Sequence, residues 1–146
     1  MNTIKKTAEM KDRKVILSTL WIFAMFNYLY ADVYGLFFNP VLQKELTKEL
    51  MAGYMGSIQI TQEFVLVTAV LMETAIAMVL LSLVLKYRAN RWANIIAGLF
   101  HTAFVSWSLI GETPTLFYVF FATIEITCTL FIVWYAWKWT NPEGQP

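Results

Sequence analysis

Four stretches of this chain, 15–36, 64–85, 92–110 and 115–137, each run for about twenty residues with no more than one acid or base apiece. An α-helix rises about 1.5 Å per residue, so each is long enough to cross the roughly 30 Å hydrocarbon core of a bilayer. Backbone N–H and C=O groups cannot stay unpaired in lipid, and a helix satisfies them within one segment. The blocks therefore predict an all-α membrane protein. Four transmembrane helices form one bundle, a single integral domain over residues 1–146, with the lipid bilayer as its first partner. Composition agrees: of 146 residues 58% are hydrophobic and 14% charged, where soluble domains carry about 25% charged residues.

Charge and rare residues exclude several classes. The net charge is +1, and no basic cluster is interleaved with aromatics, so nucleic acid is not an expected partner. The lone cysteine, Cys128, cannot form an intramolecular disulfide and reads as packing. A single histidine excludes a bis-histidine haem and the usual multi-histidine metal sites. A basic start precedes the uncharged run 15–31, which is longer than a signal-peptide core and has no small-x-small cleavage site, so it reads as a retained first span.

Lys5, Lys6, Lys11, Arg13 and Lys14 precede the first block, and Lys86, Arg88 and Arg91 fill the second loop, while the third loop has no base. This bias predicts both termini in the cytoplasm and the first and third loops outside. Trp92, Trp134, Tyr135, Trp137 and Trp139 would then form an inner aromatic belt, with Trp107 near the outer interface. In the first loop Asn39-Pro40 can cap and open a short helix over 40–51. Leu42, Leu46 and Leu50 mark its apolar side, so it is expected to lie outside the membrane, on the surface or over the bundle mouth. A turn containing Gly53 and Gly56 leads to Thr61 as cap of the second span, and Thr113-Pro114 is expected to cap the fourth.

The polar residues inside the blocks are the candidate site. Measured by helical rise, Asn27 lies about 18 Å into the first span, Glu73 about 14 Å into the second, His101 about 14 Å into the third and Glu125 about 15 Å into the fourth. All four fall near one level. A charge at the bilayer centre costs about 2.5–3.5 kcal/mol on insertion scales, so such groups are expected to meet partners inside the bundle. Desolvation favours the neutral, protonated form of a carboxyl. We read Glu73, His101 and Glu125, with Asn27 as a hydrogen-bonding member, as a midplane cluster able to hold a proton, a cation or a cationic substrate.

The neighbours suggest inward faces. Asn94, Gly98, His101, Val105 and Ser108 share one face of the third span. Ala69 and Ala77 flank Glu73; Tyr118, Ala122 and Thr129 share a face with Glu125; Phe23, Tyr30 and Tyr34 share one with Asn27. Tyr28, Tyr30 and Tyr118 would line a path to the cluster. Asp32 lies near the outer end of the first span, about 140° round from Asn27, as a vestibule acid. The competing reading is structural: a protonated glutamate bridging helices contributes about 0.6 kcal/mol on average. No nucleophile triad, nucleotide loop or metal-ligand spacing is present, so no catalytic residue, cofactor or metal is assigned.

The stretches "LSTLWIFAMFNYLYADVYGL", "VLMETAIAMVLL", "YRANRWANIIAG" and "TPTLFYVFFATIEITCTLFIVWYAW" together resemble a family of small bacterial integral membrane proteins of unknown function. The likeness runs from Leu17 to Trp139 and implies four transmembrane helices in an inner membrane, with no activity to carry over. The layout is also similar to DoxX-like four-helix membrane proteins, at the level of architecture alone. Small multidrug transporters share four helices and a membrane glutamate, but their essential acid is in the first helix, where this chain has Asn27 and Asp32. Three functions are consistent with these features: binding or transport of a proton, cation or small amphiphile, with a homodimer as one arrangement; a structural or partner-binding membrane subunit; and an accessory to a membrane redox enzyme.

Overall fold

The computed structural model describes residues 3–55, 57–110 and 114–140, with side chains from residue 8 onward. Helix α1 spans Thr3–Val33 and runs on into a π-helical turn, Tyr34–Phe38. The helix cannot continue through Pro40, which biases the residue before it away from helical geometry. Asn39 is accordingly extended, at φ −122° and ψ 90°, and its side-chain oxygen accepts from the Leu42 N–H at 3.1 Å. That cap, with Pro40 at the first helical position, starts α2, Pro40–Ala52. Gly53 ends it in the left-handed region at φ 78°, where its N–H caps the carbonyls of Glu49 and Leu50.

A glycine-containing turn was expected next, and two short strands pair there. Strand β1, Tyr54–Met55, pairs with β2, Ile58–Gln59, in the register Tyr54 to Gln59 and Met55 to Ile58. The Ile60 N–H to Gly53 carbonyl bond, 2.9 Å, closes the base of the pair. Gly56 lies outside the described residues. Thr61 caps α3, Gln62–Val84, by accepting from Phe64 N–H at 3.2 Å. Helix α4 spans Tyr87–Ser108 and α5 spans Leu116–Trp137. Thr115 precedes α5 without a side-chain cap, and the expected capping residue Thr113 lies outside the described residues.

Both α1 and α4 begin earlier than the uncharged blocks suggest, because a helix boundary follows backbone geometry and not the first charge. Arg91 illustrates how α4 carries bases at its start: its guanidinium donates to the Trp137 carbonyl at 3.0 Å and sits 5.6 Å from the Trp137 ring centre. Among the described residues, three helices are long and apolar enough to cross a membrane: Ala8–Phe38, Gln62–Val84 and Leu116–Trp137. Helix α4 equals α5 in length but bears Arg88, Asn90, Arg91 and Asn94 in its first two turns.

The long helices share one core. Helix α1 lies against both α3 and α5, α4 packs along α5, and α3 also meets α4. Leu17, Trp21 and Ala24 from α1 meet Ala75 and Met78 from α3, Ile95 from α4, and Cys128, Ile132 and Ala136 from α5. Helix α4 lies close on α5 at Gly98, where a Cβ atom would stand 2.7 Å from Val133 Cγ2 and 3.2 Å from the Thr129 carbonyl oxygen. One turn on, the Thr102 and Thr129 hydroxyls hydrogen-bond across the same seam at 2.7 Å. Gly98→Ala therefore forces α4 and α5 apart. We expect it to lower stability by about 1–3 kcal/mol in detergent unfolding, as overpacked cores do.

Candidate functional site

Polar side chains occupy the core at three levels. Nearest the α3–α4 turn, Asn94 is fully buried and uses its whole amide. Its Oδ1 accepts from Trp21 Nε1–H at 2.8 Å and from the Ser82 hydroxyl at 3.2 Å. Its Nδ2 donates to the carbonyl and side-chain oxygens of Asn90, at 2.9 and 2.7 Å. Asn90 in turn donates to the Ser82 carbonyl at 2.6 Å. The network joins α1, α3 and α4, and none of these buried groups lacks a partner.

His101 forms the middle level, two turns along α4 from Asn94 and fully buried. Trp21 meets its ring edge-on, with centroids 5.4 Å apart, and Tyr28 stacks on it at 5.7 Å. Its Nε2 lies 2.9 Å from Thr74 Oγ1 and its Nδ1 3.3 Å from the Tyr28 hydroxyl. The partners assign the protons. Thr74 has one hydroxyl hydrogen and donates it to the Leu71 carbonyl at 2.6 Å, so it accepts from His101. A neutral imidazole with its proton on Nε2 then accepts at Nδ1 from Tyr28. This tautomer satisfies every contact, leaving His101 a fully bonded link between α1 and α3.

Glu125, on α5, is different. It is 5% exposed, and its Oε1 has no hydrogen-bond partner. The Thr129 hydroxyl bonds to its backbone carbonyl, at 2.9 Å, and leaves the carboxyl alone. Tyr28 and Asp32 lie within electrostatic reach of that carboxyl. Asp32 also lines a cavity of about 540 Å³ at the end of the helices where α1 finishes and α5 begins. Leu42, Leu46 and Leu50 of α2 form one wall, so its apolar side faces this space; Phe117 and Tyr118 of α5 form another. Tyr118 donates to Ser108, which also lines the cavity, at 2.8 Å. By helical rise, Glu125 sits about 10 Å below Tyr118.

Placement of the candidate residues is uneven. His101 and Glu125 are buried, and Asp32 and Tyr118 line the cavity. Asn27 is buried, but its amide donates to the Phe23 carbonyl of its own helix at 2.8 Å. Tyr30 is half exposed on the outer surface of α1. Glu73 is exposed, so the expected Glu73–His101–Glu125 cluster is not assembled within one chain. The buried face of α3 is Leu71, Ala75, Met78 and Ser82. Glu73 is two residues from both Leu71 and Ala75, about 200° round the helix, and points away. Its neighbour Thr74 reaches His101 instead, and no sequence signal distinguished it. Trp21 was also missed; its signal was a tryptophan well inside a span, away from either aromatic belt. Among the described residues, no three of His, Cys, Asp and Glu come together as a metal site.

The chain belongs to a family of unknown function, DUF6326, whose model matches residues 5–144. No curated protein and no solved structure matches it. The buried network yields a prediction independent of function. Asn94→Leu strands the Trp21 N–H and the Asn90 side-chain oxygen in an apolar core, and should cost about 2–4 kcal/mol in detergent unfolding. Thr74→Val, which orphans only His101 Nε2, should cost about 1–3 kcal/mol by the same assay.

Proposed function

We propose that this protein is a four-span inner-membrane protein with both termini in the cytoplasm, and that it takes up a proton or small cation at Glu125 from the cavity beside α2. Crossing by α4 is supported by its position. Its first residue follows α3 by a two-residue link, while its last, Ser108, lines the cavity shared by the end of α1 and the start of α5. If α1, α3 and α5 cross, α4 runs the same distance beside them. The basic residues before α1 and between α3 and α4 then share the cytoplasmic side, and the cavity opens outside.

The orphaned, buried carboxyl oxygen of Glu125 carries the reading. An unsatisfied acid is costly in an apolar core. The same oxygen beside a bound proton or cation is satisfied. Asp32 offers a second acid between the cavity and Glu125, and the cavity wall mixes apolar and polar groups suited to a small amphiphilic cation. Intramembrane acids of this kind commonly mark proton or ion pathways.

The test is infrared difference spectroscopy on the protein in lipid. We expect a protonated-carboxyl band that is lost in Glu125→Gln, responds to bulk pH and exchanges with deuterium. Asp32→Asn should slow that exchange severalfold while leaving the band in place. A Glu125 band indifferent to pH and closed to deuterium would overturn the reading and leave Glu125 a buried strut.

A further inference from the structure

Glu73 is the central residue of Gln62–Val84, eleven residues from either end (73 − 62 = 84 − 73). It is exposed on the most apolar of the three long apolar helices. Its surroundings on that surface are Leu66, Val70 and Leu80, which are 65%, 55% and 66% exposed. At about 16 Å from each helix end, a glutamate side chain is too short to reach the polar interface, as a lysine or arginine near a helix end does. Facing lipid, this acid would have no hydrogen-bond partner at all. The face needs a polar partner that the chain itself does not supply.

We infer that a second copy of this chain covers this face, with the two Glu73 carboxyls paired across a two-fold axis. A protonated carboxyl carries one donor and an acceptor oxygen, so two of them satisfy each other reciprocally. An isologous contact brings the same residue of each copy to the axis, and two-fold dimers are the commonest assemblies. The flanks suit that crossing. Ala69 and Ala77 stand four residues to either side of Glu73, and small residues at this spacing let helix backbones approach closely. The pairing is neutral and self-complementary, so it requires no basic residue from a different partner. It rests on α3 crossing the membrane and is independent of what Glu125 binds.

The test uses full-length protein, labelled separately with donor and acceptor dyes and mixed in phosphatidylcholine vesicles over a range of protein-to-lipid ratios. Wild type should show energy transfer that falls on dilution as a dimer dissociates. Glu73→Gln, which keeps a donor and an acceptor, should retain the dimer. Glu73→Leu should fold unchanged by circular dichroism and raise the dissociation constant about threefold to thirtyfold, the range for interhelical hydrogen bonds in membranes. Equal dissociation of wild type and Glu73→Leu overturns the inference, as does transfer that arises only when another membrane protein is added. Vesicle flotation separates the premise from the proposal. Protein that does not float overturns the membrane reading and the dimer with it, while protein that floats without transfer overturns the dimer alone.

Discussion

A polar group sealed among apolar helices must find all its hydrogen bonds inside the protein, and the amide of Asn94 meets that demand completely. Two donors reach its oxygen and its nitrogen donates twice. Because the partners sit on α1, α3 and on α4 itself, the amide fixes how those helices stand in rotation and height. Hydrophobic contact alone does so poorly in a membrane, where lipid is as apolar as a neighbouring leucine and a rotated helix loses little. Trp21 shows the consequence. Its indole N–H is held by Asn94 while its ring packs against His101, so one side chain transmits the register of the lower network to the level above.

Buried polar groups are satisfied unevenly through the structure. Toward the α3–α4 turn, Ser82, Asn90, Asn94 and Trp21 have partners, while Arg91 Nε, buried beside them on α4, has none. Toward the cavity, Glu125 retains an unpartnered oxygen and Asp32 opens onto a space. An unsatisfied buried group is uncommon in folded proteins. Local departures from that consistency concentrate where a fold does work. His101, for all its centrality, is bonded at both ring nitrogens and holds α1 against α3.

Helix existence was legible, and helix ends were legible where a turn or capping residue marks them, because both depend on local chemistry. Asn39, Pro40, Gly53 and Thr61 acted as their side chains dictate, and Asn39 and Thr61 supplied the expected caps. Which face points inward was legible only where polarity marked it. On α4 the row Asn94, Gly98, His101 and Val105 is buried as the spacing implies, because Asn94 and His101 find their hydrogen-bond partners on the facing helices. On α5, Ala122, Glu125 and Thr129 are buried together. Beyond its first turn helix α3 is apolar nearly all round, so its pattern has little phase, and a face chosen from Glu73 came out turned by half a revolution. Helix α1 failed similarly. Its buried face is Leu17, Trp21 and Ala24, while Phe23, Tyr30 and Tyr34, grouped with Asn27, are largely exposed. Aromatic residues serve equally well against lipid and against protein, so their spacing did not discriminate.

Tyr28 links the satisfied His101 to the unsatisfied Glu125. Its hydroxyl carries a single hydrogen, and His101 Nδ1 has no other donor to meet it. The proton on Nε2 is committed to Thr74, whose own hydrogen is committed to the Leu71 carbonyl. The chain of donors therefore runs one way, from Tyr28 through His101 to the backbone of α3, and ends there. No hydrogen remains at Tyr28 for the carboxyl of Glu125, although that carboxyl lies within its electrostatic reach. Turning the tyrosine hydroxyl toward Glu125 would strip His101 of its donor, exchanging one unpaired buried group for another. On the proposed reading, a proton or cation entering by the cavity beside Asp32 would satisfy the carboxyl without disturbing Tyr28.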